Sequence, residues 1–141
     1  MPPILFTVYS GGENSEAMLN QPARILVVDD EVNQRSALGS VVTRWGYQVE
    51  TASDGAEALA KLKDFDADVV ITDLNMPNLD GVGLIKAVRA NPAHRLAPVL
   101  MVTTESAAEK KAEGRAAGAT GWVVKPFTPE QLLAVVRKLI G

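Results

Sequence analysis

The chain of 141 residues contains no cysteine, which excludes disulfides, thiolate metal sites and cysteine nucleophiles. That absence fits a reducing compartment, and a cytoplasmic location is the expectation. Histidine is almost as scarce: His94 is the only one. It stands near Asn91-Pro92 in an expected loop and reads as a solvated side chain rather than a metal ligand. No apolar run exceeds about six residues, too short for a helix that crosses a bilayer. Positive charge is not in excess either. The net charge is −3, and Glu13 and Glu16 of the N-terminal stretch account for two of those charges. No basic footprint for nucleic acid or an anionic membrane surface is left.

What remains is ordinary globular composition, 47% hydrophobic and 22% charged, in a length that suits one domain with its own core. Residues 1–22 stand apart. A short strand is conceivable over 4–9, but Ser10-Gly11-Gly12-Glu13-Asn14-Ser15 reads as a flexible linker. No basic n-region precedes a long apolar stretch, so the segment does not resemble a secretory signal. It reads as a flexible extension: a tag, an upstream start with Met18 as natural initiator, or a functional arm. Residues 23–141 form the expected domain.

From Ala23 onward short apolar runs alternate with helical patterns, which predicts a (βα)5 α/β fold with a parallel sheet covered on both faces. Strands are expected at 25–28, 48–52, 69–72, 99–102 and 122–124, in the doubly wound, flavodoxin-like order 2-1-3-4-5. The first helix should start just after Asp30 and run to about Trp45. Its apolar stripe of Leu38, Val41, Val42 and Trp45 faces the sheet, and Gly46 stops it. Asp54 with Glu57 reads as a capping box, as do Ser106 with Glu109 and Thr128 with Gln131, the last with Pro129 at the first helical position. Asp80-Gly81 opens the third helix, which turns Val82, Ile85 and Val88 inward, and Asn91-Pro92 ends it. Gly118 is the expected stop of the fourth helix. The fifth should bury Leu132, Val135, Val136 and Leu139.

Each of four strands runs out into polar residues. Asp29-Asp30 follow the first, Asp73 the third, Thr103 the fourth and Lys125 the fifth. In a parallel α/β sheet, ligands bind outside the carboxyl ends of the strands near the switch in strand order. Three carboxylates, a hydroxyl and an ammonium should therefore meet at one edge. An oxygen-only donor set suits a hard cation, and Mg2+ is favoured because it binds through a few carboxylates and keeps waters or phosphate oxygens. A carboxylate can also serve as nucleophile and become an aspartyl-phosphate. Phosphoryl transfer needs charge neutralised on the equatorial oxygens, a role open to the metal, to Lys125 and to Thr103 or nearby backbone N–H groups.

Residues 25–31 (ILVVDDE), 72–77 (TDLNMP) with Asp80-Gly81, Val102-Thr103 and residues 123–127 (VVKPF) resemble the response-regulator receiver family. The resemblance covers roughly residues 23–141, with the hallmarks in order. It implies that Asp73 accepts phosphate from a phosphohistidine of a partner histidine kinase. It further implies a Mg2+ site at Asp29, Asp30, Asp73 and the Asn75 backbone carbonyl. Thr103 matches the family's switch hydroxyl, Lys125 its phosphate-pairing lysine, Lys125-Pro126 its usual cis bond and Trp122 its rotameric aromatic. Simple packing at a strand start is the alternative role for Trp122. Asn75, Thr104 and Glu105 fall where family members tune phosphoryl lifetime and access. Glu31, beside the acidic pair, reads as a first-turn helix acid.

Residues 103–127 resemble stand-alone, CheY-like chemotaxis members of the family. If the sequence is complete, output should be protein–protein contact, with a chemotaxis histidine kinase upstream and the flagellar motor switch as target. A phosphate sink or an intermediate in another phosphorelay stays open. So do monomer and weak dimer. Lys110, Lys111 and Arg115 read as a solvated helix face that could steer an acidic target. A haloacid-dehalogenase-like phosphatase would need a D-x-D pattern after the first strand, which is absent. A dinucleotide binder would need a Gly-rich turn where Asp29 and Asp30 stand.

Overall fold

The computed structural model describes residues 22–140. The strand conceivable at 4–9 and the linker at 10–15 lie outside the described residues. Ten elements alternate in order: β1 Arg24–Val28, α1 Val32–Arg44, β2 Gln48–Ala52, α2 Gly55–Leu62, β3 Val69–Thr72, α3 Gly81–Ala90, β4 Val99–Thr103, α4 Ala108–Ala117, β5 Gly121–Val124 and α5 Pro129–Ile140. The five strands form one parallel sheet in the expected order β2-β1-β3-β4-β5.

Strand periodicity divides the core in two. Ile25, Val27, Val69, Ile71, Leu100 and Val102 pack with Leu38 and Val42 of α1 and with Leu132 and Val136 of α5. Their alternating neighbours Leu26, Val28, Val70 and Met101 pack with Ala58 and Leu62 of α2 and with α3 on the other face. The central strands are buried on both sides, and each such aliphatic side chain contributes roughly 1.5–3 kcal/mol. The edge strand β2 alternates exposed and covered residues, and β5 is half-buried throughout.

Most expected boundaries hold. Asp54 caps α2 through Glu57 N–H, and Glu57 returns a carboxylate to Ser53 N–H. Asp80 caps α3 through Gly83 N–H at 2.7 Å. Thr128 and Gln131 bond reciprocally, a complete capping box. Gly46 and Gly118 both take positive φ, and the N–H groups of Tyr47 and Ala119 reach back to Val42 and Gly114 in Schellman stops.

Four expectations need correction. Trp45 is not core: it is 48% exposed and stands at the C-cap of α1, where the backbone leaves helical phase, with the Arg137 guanidinium 5.4 Å from its ring centre. Ser106 does not cap α4. That helix starts at Ala108 behind Ala107, which has no side-chain cap bond, and the Glu105 carboxylate instead accepts from Ala107 N–H. Glu31 precedes the first turn of α1 and is its N-cap, accepting from Asn33 and Gln34 N–H. In α5 the buried set also includes Leu133, while Val135 and Leu139 are only partly covered.

Candidate metal and phosphoryl site

Strand register builds the site. Val28 pairs with Thr72 across β1 and β3, so Asp29 and Asp73 emerge side by side at the next position. Both are still held by the ladder, Asp29 N–H bonding Ala52 and Asp73 N–H bonding Val28. Thr103 pairs with Val124, which brings Lys125 to the same edge, and Lys125 N–H bonds Thr103 at 2.8 Å.

Asp29, Asp30 and Asp73 each direct a carboxylate oxygen into a cluster whose members lie within 4.8 Å of one another. Burial differs sharply among them. Asp29 is fully buried, Asp73 half-buried and Asp30 exposed. A buried carboxylate needs partners for its lone pairs. Asp29 finds them in Glu31 N–H at 3.0 Å and the Lys125 ammonium at 3.1 Å, and Arg35 bonds its carbonyl at 2.7 Å. Asp73 receives Leu74 N–H on one oxygen at 2.7 Å, while its other oxygen lies 3.6 Å from Lys125. The Lys125 side chain is only 12% exposed, so the pair is shielded from solvent screening.

The loop after β3 is pinned from behind. Gly81 N–H bonds the Leu74 carbonyl, and a Cβ on Gly81 would stand 2.4 Å from the Asp73 carbonyl oxygen. Only a bare backbone fits there. Asn78, at φ 70, donates from its side chain to Asp54, tying this loop to the start of α2. Asn75 is exposed on the same loop.

On the β4 side, the buried Thr103 hydroxyl accepts from Glu105 N–H at 3.3 Å. The Glu105 carbonyl accepts from the Trp122 indole N–H at 3.0 Å. Thr104 is exposed. The Lys125–Pro126 bond is cis, as the resemblance implied. His94 sits in the loop before β4, outside the acidic cluster, and Lys110, Lys111 and Arg115 are exposed on α4.

Sequence reasoning missed Gln34, whose side-chain carbonyl accepts a hydrogen bond from Lys125 Nζ. It missed Arg35 as well. The signal was available: α1 begins at the carboxyl edge of β1, so side chains of its first turns must border the cleft.

The donor set can be tested against a divalent cation. Three carboxylate oxygens converge without sulfur or imidazole, and one ammonium closes the group. Hard oxygen ligands of this kind fit Mg2+ or a similar ion. Transfer to a carboxylate beside a lysine is the chemistry such a cleft can support.

Fold and cleft together define a doubly wound α/β domain whose carboxyl strand edge carries an acidic cluster closed by a lysine. The family model described as "Response regulator receiver domain" matches residues 25–137, and the chain belongs to that family. It is a two-component response regulator. The chain is 39% identical to chemotaxis protein CheY-3 of Vibrio cholerae over 125 residues, 88% of this chain and 96% of that protein. It is 38% identical to chemotaxis protein CheY1 of Helicobacter pylori over 120 residues, 84% of this chain and 97% of that protein. The solved structure of Vibrio cholerae chemotaxis protein CheY4 superposes with a TM-score of 0.81 at 47% identity, covering 84% of this chain and 98% of that one. Among the described residues no helix is long and apolar enough to cross a membrane.

Proposed function

We propose that Asp73 is the phosphoacceptor of a chemotaxis-type response regulator, charged by a partner histidine kinase in a Mg2+-dependent reaction. The observation that carries this reading is the meeting of Asp29, Asp30 and Asp73 with the Lys125 ammonium at one strand edge. A carboxylate oxygen of Asp73 attacks the phosphorus of a phosphohistidine. The P–N bond breaks, its electron pair stays with the departing imidazole, and an acyl phosphate forms on Asp73. Hydrolysis of that acyl phosphate, slow and intramolecularly assisted, resets the domain. Beyond this self-directed chemistry the protein signals rather than turns over a substrate.

Asp29, Asp30, Asp73 and the Asn75 carbonyl would hold Mg2+, which supplies Lewis-acid neutralisation of phosphoryl oxygen charge when bound. Lys125 pairs with a second phosphoryl oxygen. The Thr103 hydroxyl donates to a third, giving up its bond with Glu105 N–H. Trp122 hangs on the same short loop through Glu105, so moving Thr103 shifts the environment of the indole. The added charge of about −1.5 to −2 biases the equilibrium between two arrangements of α4 and β5. Asn75, Thr104 and Glu105 border the route of an attacking water and set phosphoryl lifetime. The relatives are named as chemotaxis proteins, which supports a place for this regulator in chemotaxis. In this proposal a chemotaxis histidine kinase stands upstream, a flagellar motor-switch protein downstream, and the reaction runs in the cytoplasm.

Intact-mass measurement with acetyl phosphate and Mg2+ tests the assignment. Wild-type protein should gain one hydroxylamine-sensitive phosphoryl group, and Asp73→Asn should gain none while keeping its melting temperature within a few degrees. Equal labelling of Asp73→Asn would refute it.

A further inference from the structure

Lys125 has three ammonium protons and three neighbours that could take them. Two are contacted directly: Asp29 Oδ2 at 3.1 Å and the side-chain carbonyl of Gln34. The third neighbour, Asp73 Oδ2, lies at 3.6 Å, beyond hydrogen-bonding reach. This is an odd outcome for electrostatics alone. An ammonium between two carboxylates and a neutral amide should favour the two anions, because charge-assisted bonds are roughly twice as strong as neutral ones.

The placement of Gln34 explains it. Gln34 sits in the first turn of α1, and its own N–H is fixed by the Glu31 carboxylate at 3.0 Å. Its side chain and Lys125 border a recess of about 320 Å3 whose other lining, including Leu38, Val41, Pro126 and Phe127, is apolar. Along that wall Gln34 offers the only side-chain acceptor. It draws the ammonium toward α1 and away from Asp73. Were that acceptor lost, the ammonium would swing toward Asp73, bridge it to Asp29, and occupy the centre of the carboxylate cluster with its own charge.

We propose that Gln34 is a positioning residue that holds the Lys125 ammonium off Asp73, leaving the three carboxylates open to a divalent cation and the acceptor oxygen uncapped. This rests on the metal and phosphoacceptor reading above. Its effect passes wholly through Lys125.

Calorimetric titration with Mg2+ alone separates the two. Wild-type protein should show saturable binding, and Gln34→Leu should bind roughly three- to tenfold more weakly, as expected for a coupled network of contacts. Gln34→Asn, whose amide is withdrawn by one methylene, should resemble Gln34→Leu. Gln34→Glu keeps the acceptor and should bind at least as tightly as wild type. In a Lys125→Ala background, Gln34→Leu should change nothing. Unchanged affinity in Gln34→Leu overturns the inference alone, and so does an equal loss with and without Lys125. Absence of saturable binding in wild type would instead remove the metal reading, and the inference with it.

Discussion

Helices α3 and α4 are each ten residues long and lie in succession, yet they are anchored very differently. Helix α3 is capped by Asp80, packs Gly81 against the Asp73 carbonyl and buries Val82, Leu84, Ile85 and Val88. Its Arg89 then bonds the carbonyls of Arg95, Ala97 and Gly118, locking the following loop. Helix α4 has no side-chain cap and buries only Gly114, which rests on the Trp122 ring. Regions with few buried apolar contacts open at lower free energy. The proposed acceptor, Asp73, therefore sits behind a rigid element, while the element beside Thr103 and Trp122 is free to respond. A domain that must hold chemistry still and yet report it needs both.

The largest effect expected from breaking this division is at Lys125. Lys125→Ala should keep Mg2+ binding but lose essentially all of the phosphate-linked change in Trp122 fluorescence, read in a Trp45→Phe background because Trp45 is exposed. A full Trp122 response in that variant would show that the lysine does not connect the two halves.

Next comes the contrast in stability. Ile85→Ala should cost about 2–5 kcal/mol in urea unfolding, the range for a buried aliphatic truncation. Lys111→Ala on exposed α4 should stay within about 0.5 kcal/mol. Similar losses at both positions would erase the distinction.

The contact between α4 and β5 is narrower. A Cβ on Gly114 would stand 2.8 Å from Trp122 Cζ3, so Gly114→Ala must push the ring or the helix aside. It should cost roughly 1–3 kcal/mol and red-shift Trp122 emission. An unshifted spectrum would mean that the ring does not depend on Gly114 for its seat.

The smallest effect lies at the start of α2. Bonds from Ser53 N–H and its hydroxyl, aided by Lys61 and Arg35, hold the Glu57 carboxyl below its ordinary value of 4.5. A depressed folded pKa stabilises above the unfolded pKa, and the contribution fades as pH falls through the folded value. Wild type should therefore melt slightly above Glu57→Gln at neutral pH, with the gap closing well below pH 4.5. A gap constant across that range would rule out the carboxylate as its source.

Much of this architecture is legible in the sequence because local signals and tertiary demands agree. Four-residue apolar runs fill fully buried strands, and the polar residues that end them have to share one edge in a parallel sheet. The readings failed where a local pattern competed with another. Trp45 continues the spacing of Leu38 and Val42, but the left-handed stop at Gly46 turns the C-cap residue out of phase. Ser106 and Glu109 have capping-box spacing, yet the Glu105 carboxylate captures Ala107 N–H first and α4 begins later. The first turn of α1 placed Gln34 at the cleft, but its pairing with Lys125 could not be read locally, because the two are 91 positions apart and only the assembled sheet brings them together.

Hydrogen exchange with and without acetyl phosphate and Mg2+ tests the division of labour most directly. Amides of α4 and β5 should change protection on phosphorylation while those of β1, β3 and α3 hold steady, and Asp73→Asn should show no change anywhere. A uniform change across the sheet, or an unaltered α4 in fully phosphorylated protein, would contradict the account.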